Sequence, residues 1–140
     1  MRLDSKVIAI TGGSQGLGRA LAKACCREGA RVAIIGRDFH KLESVRKEIG
    51  ERVVCFPCDI GDSVEVSNTF KKIEAQMGGL DALVNNAGIY PIFKLETASD
   101  EQLRSVINTN LLGAMYACRE AIPLLKKSRG DIINVSSEAV

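Results

Sequence analysis

Thr11-Gly12-Gly13-Ser14-Gln15-Gly16-Leu17-Gly18 decides the fold by where it stands. Before it, Lys6 to Thr11 is a short β-branched apolar run that reads as a strand; after it, Gly16 to Glu28 carries Leu17, Ala20, Leu21 and Ala24 at helical spacing, with Gly29 as the stop. A glycine-rich turn between strand and helix suits a phosphate. One glycine permits the bend, another lets the backbone approach the ligand, and a third lets helix and strand pack closely. Gly12, Gly16 and Gly18 are the candidates for these roles. The helix opening there directs free amides and the positive end of its dipole at the same place. Glycines also mark plain turns, and spacing alone leaves that alternative open. A P-loop is excluded, because Gly18 is followed by Arg19-Ala20 instead of Lys and then Ser or Thr; nor is this the Gly-x-Gly-x-x-Gly register.

Outward from this turn, short apolar runs alternate with amphipathic stretches. Arg31 to Gly36, Arg52 to Pro57, Ala82 to Asn85 and Asp131 to Val135 read as further strands, apolar enough to be covered on both faces. Asp38 to Glu48 is the second helix. Asp62-Ser63-Val64-Glu65 has capping-box spacing at the start of a third, which ends at Gly78-Gly79. Ser99-Asp100-Glu101-Gln102 repeats that logic and opens the longest helix, to about Lys127, with Leu103, Val106, Ile107, Asn110, Leu111 and Ala114 expected on its buried side. The alternation predicts an α/β fold, a doubly wound parallel sheet of five strands in the order 3-2-1-4-5 with helices on both faces. With no linker, repeat or low-complexity stretch, residues 1–140 form one domain.

Nineteen Lys and Arg against seventeen Asp and Glu leave +2, with no basic block, so nucleic acid is not an expected partner. The apolar runs Val7 to Ile10 and Val32 to Ile35 fall far short of the ~20 residues that span a bilayer. No membrane segment is expected. The start, Met1-Arg2-Leu3-Asp4-Ser5, has no signal-peptide character, which makes the cytoplasm the expected location. Five cysteines without framework spacing fit reduced thiols. Cys55-Phe56-Pro57-Cys58 matches Cys-x-x-Cys, but a second pair is missing and His40 is the one histidine, so no metal site is expected.

Further motifs extend the pattern. Asp59-Ile60 follows the third strand, Asn85-Asn86-Ala87-Gly88 the fourth; Asn110-Leu111-Leu112-Gly113 lies in the long helix, and Ile133-Asn134-Val135-Ser136-Ser137 closes the fifth strand. With Thr-Gly-x-x-x-Gly-x-Gly, this series resembles the short-chain dehydrogenases/reductases, in order and over the whole chain. The resemblance implies a Rossmann-like, NAD(P)-dependent oxidoreductase that transfers a hydride between nicotinamide and a carbonyl or alcohol. It makes Gly12, Ser14, Gln15, Gly16, Leu17, Gly18, Arg37, Asp59, Ile60, Asn86, Ala87 and Gly88 the expected cofactor contacts, with Asp59 at the adenine. Ser137 would polarise the substrate oxygen and Asn110 would hold a proton-relay water. Taken without the resemblance, Asn85 and Asn86 can simply satisfy a strand end, and a polar Asn110 on a buried helix side needs a partner.

The family's proton donor is a Tyr whose pKa a Lys four residues later lowers, and both lie beyond the Ser. Tyr90-Pro91-Ile92-Phe93-Lys94 matches Tyr-x-x-x-Lys by letter only, since Pro91 biases Tyr90 toward extended backbone; Tyr116 has Glu120 in the Lys position. The expectation is a truncated, cofactor-binding piece that binds dinucleotide without turnover, from a longer chain that is a homo-oligomer. The alternative is a non-catalytic dinucleotide-binding or regulatory module.

Gly36-Arg37 at the end of the second strand bears on the cofactor. NAD-preferring folds place an acid there to hold the ribose hydroxyls. A glycine followed by a guanidinium, which matches a phosphate with two parallel bonds, leads us to expect NADP(H) over NAD(H). An ordinary solvated arginine at a strand end, with Asp38 as an available ion-pair partner, is the competing reading.

Overall fold

A computed structural model describes residues 1–136. Five strands, β1 (Val7–Thr11), β2 (Arg31–Gly36), β3 (Val53–Pro57), β4 (Ala82–Asn85) and β5 (Asp131–Asn134), form one parallel sheet in the order β3-β2-β1-β4-β5. Helices α1 (Gly16–Arg27), α2 (Phe39–Ile49), α3 (Ser63–Met77), α4 (Asp100–Ile107) and α5 (Gly113–Ser128) lie between them. The expected fold and strand order are both present.

Strand periodicity divides the core. Ile8, Ile10, Val32 and Ile34 face α1 and α2, where Ala22, Leu42 and Val45 meet them. Ala9, Ala33, Ile35 and Leu83 face the other way, onto Val66, Phe70 and Ile73 of α3 and Ala117, Ala121 and Leu124 of α5. All of β1 is buried, as a central strand covered on both faces requires. The chain steps out from β1 to β2 and β3, then returns to β4 on the opposite side of β1. That reversal opens a crevice at the carboxyl ends of β1 and β4.

Caps set the helix starts. The Asp38 side chain accepts from the Lys41 N–H, and Ser99 and Gln102 form a reciprocal capping box. Asp62 accepts from Val64 and Glu65 N–H, but Glu65 does not complete the box: its carboxylate accepts from the Asp59 N–H at 2.8 Å and so braces the residue after β3.

The long helix differs from expectation in two respects. It is interrupted by a π turn, Asn108–Leu112, between α4 and α5. Its expected buried side is also largely open, with Leu103 38%, Ile107 51% and Leu111 52% exposed. The reason is position: α5 packs on α3 and β4, whereas α4 contacts chiefly the π turn and stands off the sheet.

Candidate active site

The glycine loop is built by two kinds of glycine. Gly12 and Gly16 have φ of +68° and +52°, a region that side chains disfavour. Gly13 and Gly18 are packing positions: a Cβ on Gly13 would stand 2.7 Å from Ile34 Cβ, and one on Gly18 would overlap the Gly12 carbonyl oxygen. Around Gly16 a Cβ would meet nothing within 4 Å. The space in front of it is open.

Helix α1 begins at this opening with no side-chain cap, unlike α2, α3 and α4. Its first-turn amides and dipole are left for a ligand. The opposite wall is locked to the loop by Asn86, whose Nδ2 donates to Thr11 O at 3.0 Å and Gly12 O at 3.3 Å. Thr11 Oγ1 in turn accepts from Asn86 and Ala87 N–H, each at 3.0 Å.

Between the walls lies a cleft of about 320 Å³. Gly12 and Ser14 to Leu17 line it from the loop, Gly36 and Arg37 from the end of β2, Cys58 to Ile60 from β3, Asn86 to Ile89 from β4, and Thr109 from the π turn. The structure thus brings together Gly12, Ser14, Gln15, Gly16, Leu17, Arg37, Asp59, Ile60, Asn86, Ala87 and Gly88, and puts Gly18 beneath the loop as a packing residue. Thr11, Ile89 and Thr109 also line the cleft without a chemical signal in their residue types, although Thr11 opens the quoted motif, and Cys58, half of the Cys-x-x-Cys pair, lines it too.

Arg37 makes no ion pair or hydrogen bond among the described residues. Asp38 is occupied elsewhere, capping α2 through the Lys41 N–H at 3.1 Å and lying 3.9 Å from Lys41 Nζ. Asp59 Oδ1 accepts from the Gly61 N–H at 2.9 Å, which fixes its carboxylate at the rim.

Asn110 does not sit in a buried environment as expected. It is exposed, and both its polar atoms meet Ile89: Oδ1 accepts from the N–H and Nδ2 donates to the carbonyl, both at 2.8 Å. Ser137 lies outside the described residues. Tyr90 and Lys94 stand in an irregular segment, and Tyr116 stacks under Arg119 at 5.4 Å. Cys55 and Cys58 pack toward opposite faces of the sheet. Burial raises both thiols, with the Glu43 carboxylate adding to push Cys55 up to about 12. Among the described residues no helix is long and apolar enough to cross a membrane.

The family model for short chain dehydrogenase matches residues 6–140. The chain is 38% identical over 133 residues to a 3-oxoacyl-[acyl-carrier-protein] reductase of Bos taurus, covering 94% of this chain and 56% of that protein. It is 37% identical over 142 residues to a 3beta-hydroxysteroid dehydrogenase of Mediterraneibacter gnavus, covering 99% and 51%. The chain therefore spans about half the length of these relatives. A crystal structure from Brucella melitensis, described as a short-chain dehydrogenase/reductase and glucose/ribitol dehydrogenase, superposes with a TM-score of 0.93 at 28% identity, over 99% of this chain and 59% of that one.

Proposed function

Because the chain belongs to the short-chain dehydrogenase family, we propose that it forms the dinucleotide-binding part of an oxidoreductase acting on a carbonyl or alcohol with NADP(H). The observation that carries this reading is the uncapped start of α1, with open space before Gly16, at the point where the strand order reverses. A pyrophosphate there would take the free amides of the first turn, with Ser14 and Gln15 beside it. Asp59 and Ile60 would border the adenine. Arg37, without a partner among the described residues, would hold a 2′-phosphate.

The nicotinamide supplies the hydride when bound. This chain's residues orient it and shape what lies in front of it. Asn86, Ala87 and Gly88 form the wall on the β4 side, rigidly joined to the loop through Thr11. Asn110 holds Ile89 and thereby the edge of that wall. Ser137, the serine that follows β5, would donate a hydrogen bond to the substrate oxygen and stabilise negative charge as it develops. Titrating NADPH and NADH into the purified chain tests the reading: saturable binding, tighter for NADPH, is expected. No binding of either dinucleotide would overturn it.

A further inference from the structure

A second groove, of about 660 Å³, opens beside the cofactor cleft and shares Arg37, Asp59 and Thr109 with it. The two spaces therefore meet at the end proposed above to receive the adenosine half of a dinucleotide. Glu101, Arg104, Ser105 and Asn108 line the groove from α4 and the first residue of the π turn, at the i, i+3, i+4 and i+7 spacing of one helical face.

Both signs of charge border this groove, but its carboxylates are engaged. Asp59 Oδ1 accepts from the Gly61 N–H at 2.9 Å, and Asp62 Oδ1 accepts from the Val64 and Glu65 N–H at 2.8 and 3.0 Å. Asp100 and Glu101 stand in the first turn of α4, where the helix dipole favours negative charge. Among the described residues no such side chains group closely enough to hold a metal ion. The two guanidiniums are held far less. Arg37 has no partner among the described residues, and Arg104 meets Asp100 only at 3.9 Å, with the two side chains 77% and 90% exposed. An exposed pair of that length stabilises little and exchanges readily. Two loosely held guanidiniums from separate elements, bordering one groove, suit an anion between them.

We propose that Arg104 is a second specificity-determining residue, which closes on the 2′-phosphate of NADP(H) from α4 while Arg37 holds it from the end of β2. This rests on the reading of Arg37 given above. A phosphate accepts from more than one guanidinium, so Arg104 exchanges a long carboxylate contact for charge-assisted bonds. NADH has no such phosphate, and Arg104 adds nothing to its affinity.

The test measures Kd for NADPH, NADH, 2′,5′-ADP and 5′-AMP in the protein translated from its complete coding sequence, comparing wild type with Arg104→Gln, Arg104→Lys and Arg37→Ile. Arg104→Gln should weaken NADPH and 2′,5′-ADP by about fivefold or more and leave NADH and 5′-AMP within roughly twofold. Arg104→Lys keeps the charge without the planar fork and should fall between wild type and Arg104→Gln. Unchanged NADPH affinity in Arg104→Gln, while Arg37→Ile weakens it, would overturn the role of Arg104 alone. Equal losses for NADPH and NADH in Arg104→Gln would do the same, because the residue would then serve the adenine or the fold. Unchanged NADPH affinity in Arg37→Ile removes the reading of Arg37 and this proposal together.

Discussion

Asn110 grips both main-chain groups of Ile89 at 2.8 Å, so an exposed side chain on the π turn serves as a strand partner for the loop after β4. The geometry follows from the turn itself, whose wider winding departs from the i→i−4 ladder at this position. Replacing Asn110 with Ala should leave the Ile89 amide to solvent. Hydrogen exchange there is expected to accelerate by about tenfold or more, since two bonds of ~0.5 to 1.5 kcal/mol each are removed. Unaltered protection of Ile89 would show that the loop is held by something else.

Gly16 and Gly18 separate binding from folding. Gly16→Val places a side chain where the pyrophosphate is proposed to sit, at a backbone angle that costs roughly 1–2 kcal/mol. Dinucleotide affinity should fall at least about tenfold while circular dichroism stays native. Gly18→Ala forces α1 away from the Gly12 carbonyl, so binding and thermal stability should drop together. If Gly16→Val binds as well as wild type, the loop is only a turn.

The proposed cofactor preference turns on Arg37, which has no partner among the described residues. If it holds a 2′-phosphate, charge-assisted bonds of ~1.5 to 3 kcal/mol should give roughly a tenfold to hundredfold preference for NADPH over NADH. Gly36→Asp with Arg37→Ile should reverse the order, because the new carboxylate accepts from ribose hydroxyls and repels a 2′-phosphate. Equal affinities for the two dinucleotides in wild type at physiological salt would remove Arg37 as a phosphate ligand.

Asp81 gives the sheet a measurable acid limb. Desolvation raises its pKa, but Lys6 Nζ and the Val7 N–H, both at 2.9 Å, outweigh that and hold the carboxyl below its usual value. A depressed folded-state pKa means that its contribution is complete above the unfolded value near ~3.9 and is lost as pH falls through the lower folded value. Urea midpoints of wild type and Asp81→Asn should therefore differ at neutral pH and draw together as pH falls through the lowered folded-state value. A gap that widens on acidification would contradict the assignment.

Strand order and the cleft were legible because a parallel sheet announces itself locally. Each strand is a short apolar run, each crossover a capped helix, and right-handed crossovers leave few ways to arrange them. Lys6 and Arg52 fell outside the strands for a simple reason: pairing begins at Val7 and Val53. The π turn was hidden because one extra residue hardly disturbs the i, i+3, i+4 apolar spacing of the long helix. The exposure of Leu103, Ile107 and Leu111 was hidden too, since periodicity shows that a face is apolar without showing that anything covers it. Thr11 escaped notice as a structural hub because its three oxygen contacts, to Val84, Asn86 and Ala87, come from residues about 75 positions away.

That separation has a consequence for how the chain folds as it leaves the ribosome. Strands β1, β2 and β3 with α1 and α2 can assemble from the first 57 residues. Their sheet then has β1 as a bare margin, and the glycine loop lacks its brace. Only when Asn86 emerges can β4 zip along β1 and its amide clasp Thr11 and Gly12. Pairings this remote in sequence form late. The proposed dinucleotide cleft therefore closes in one step during synthesis, with a long-range contact as its trigger, and a ligand of that cleft can stabilise the nascent chain only after that step.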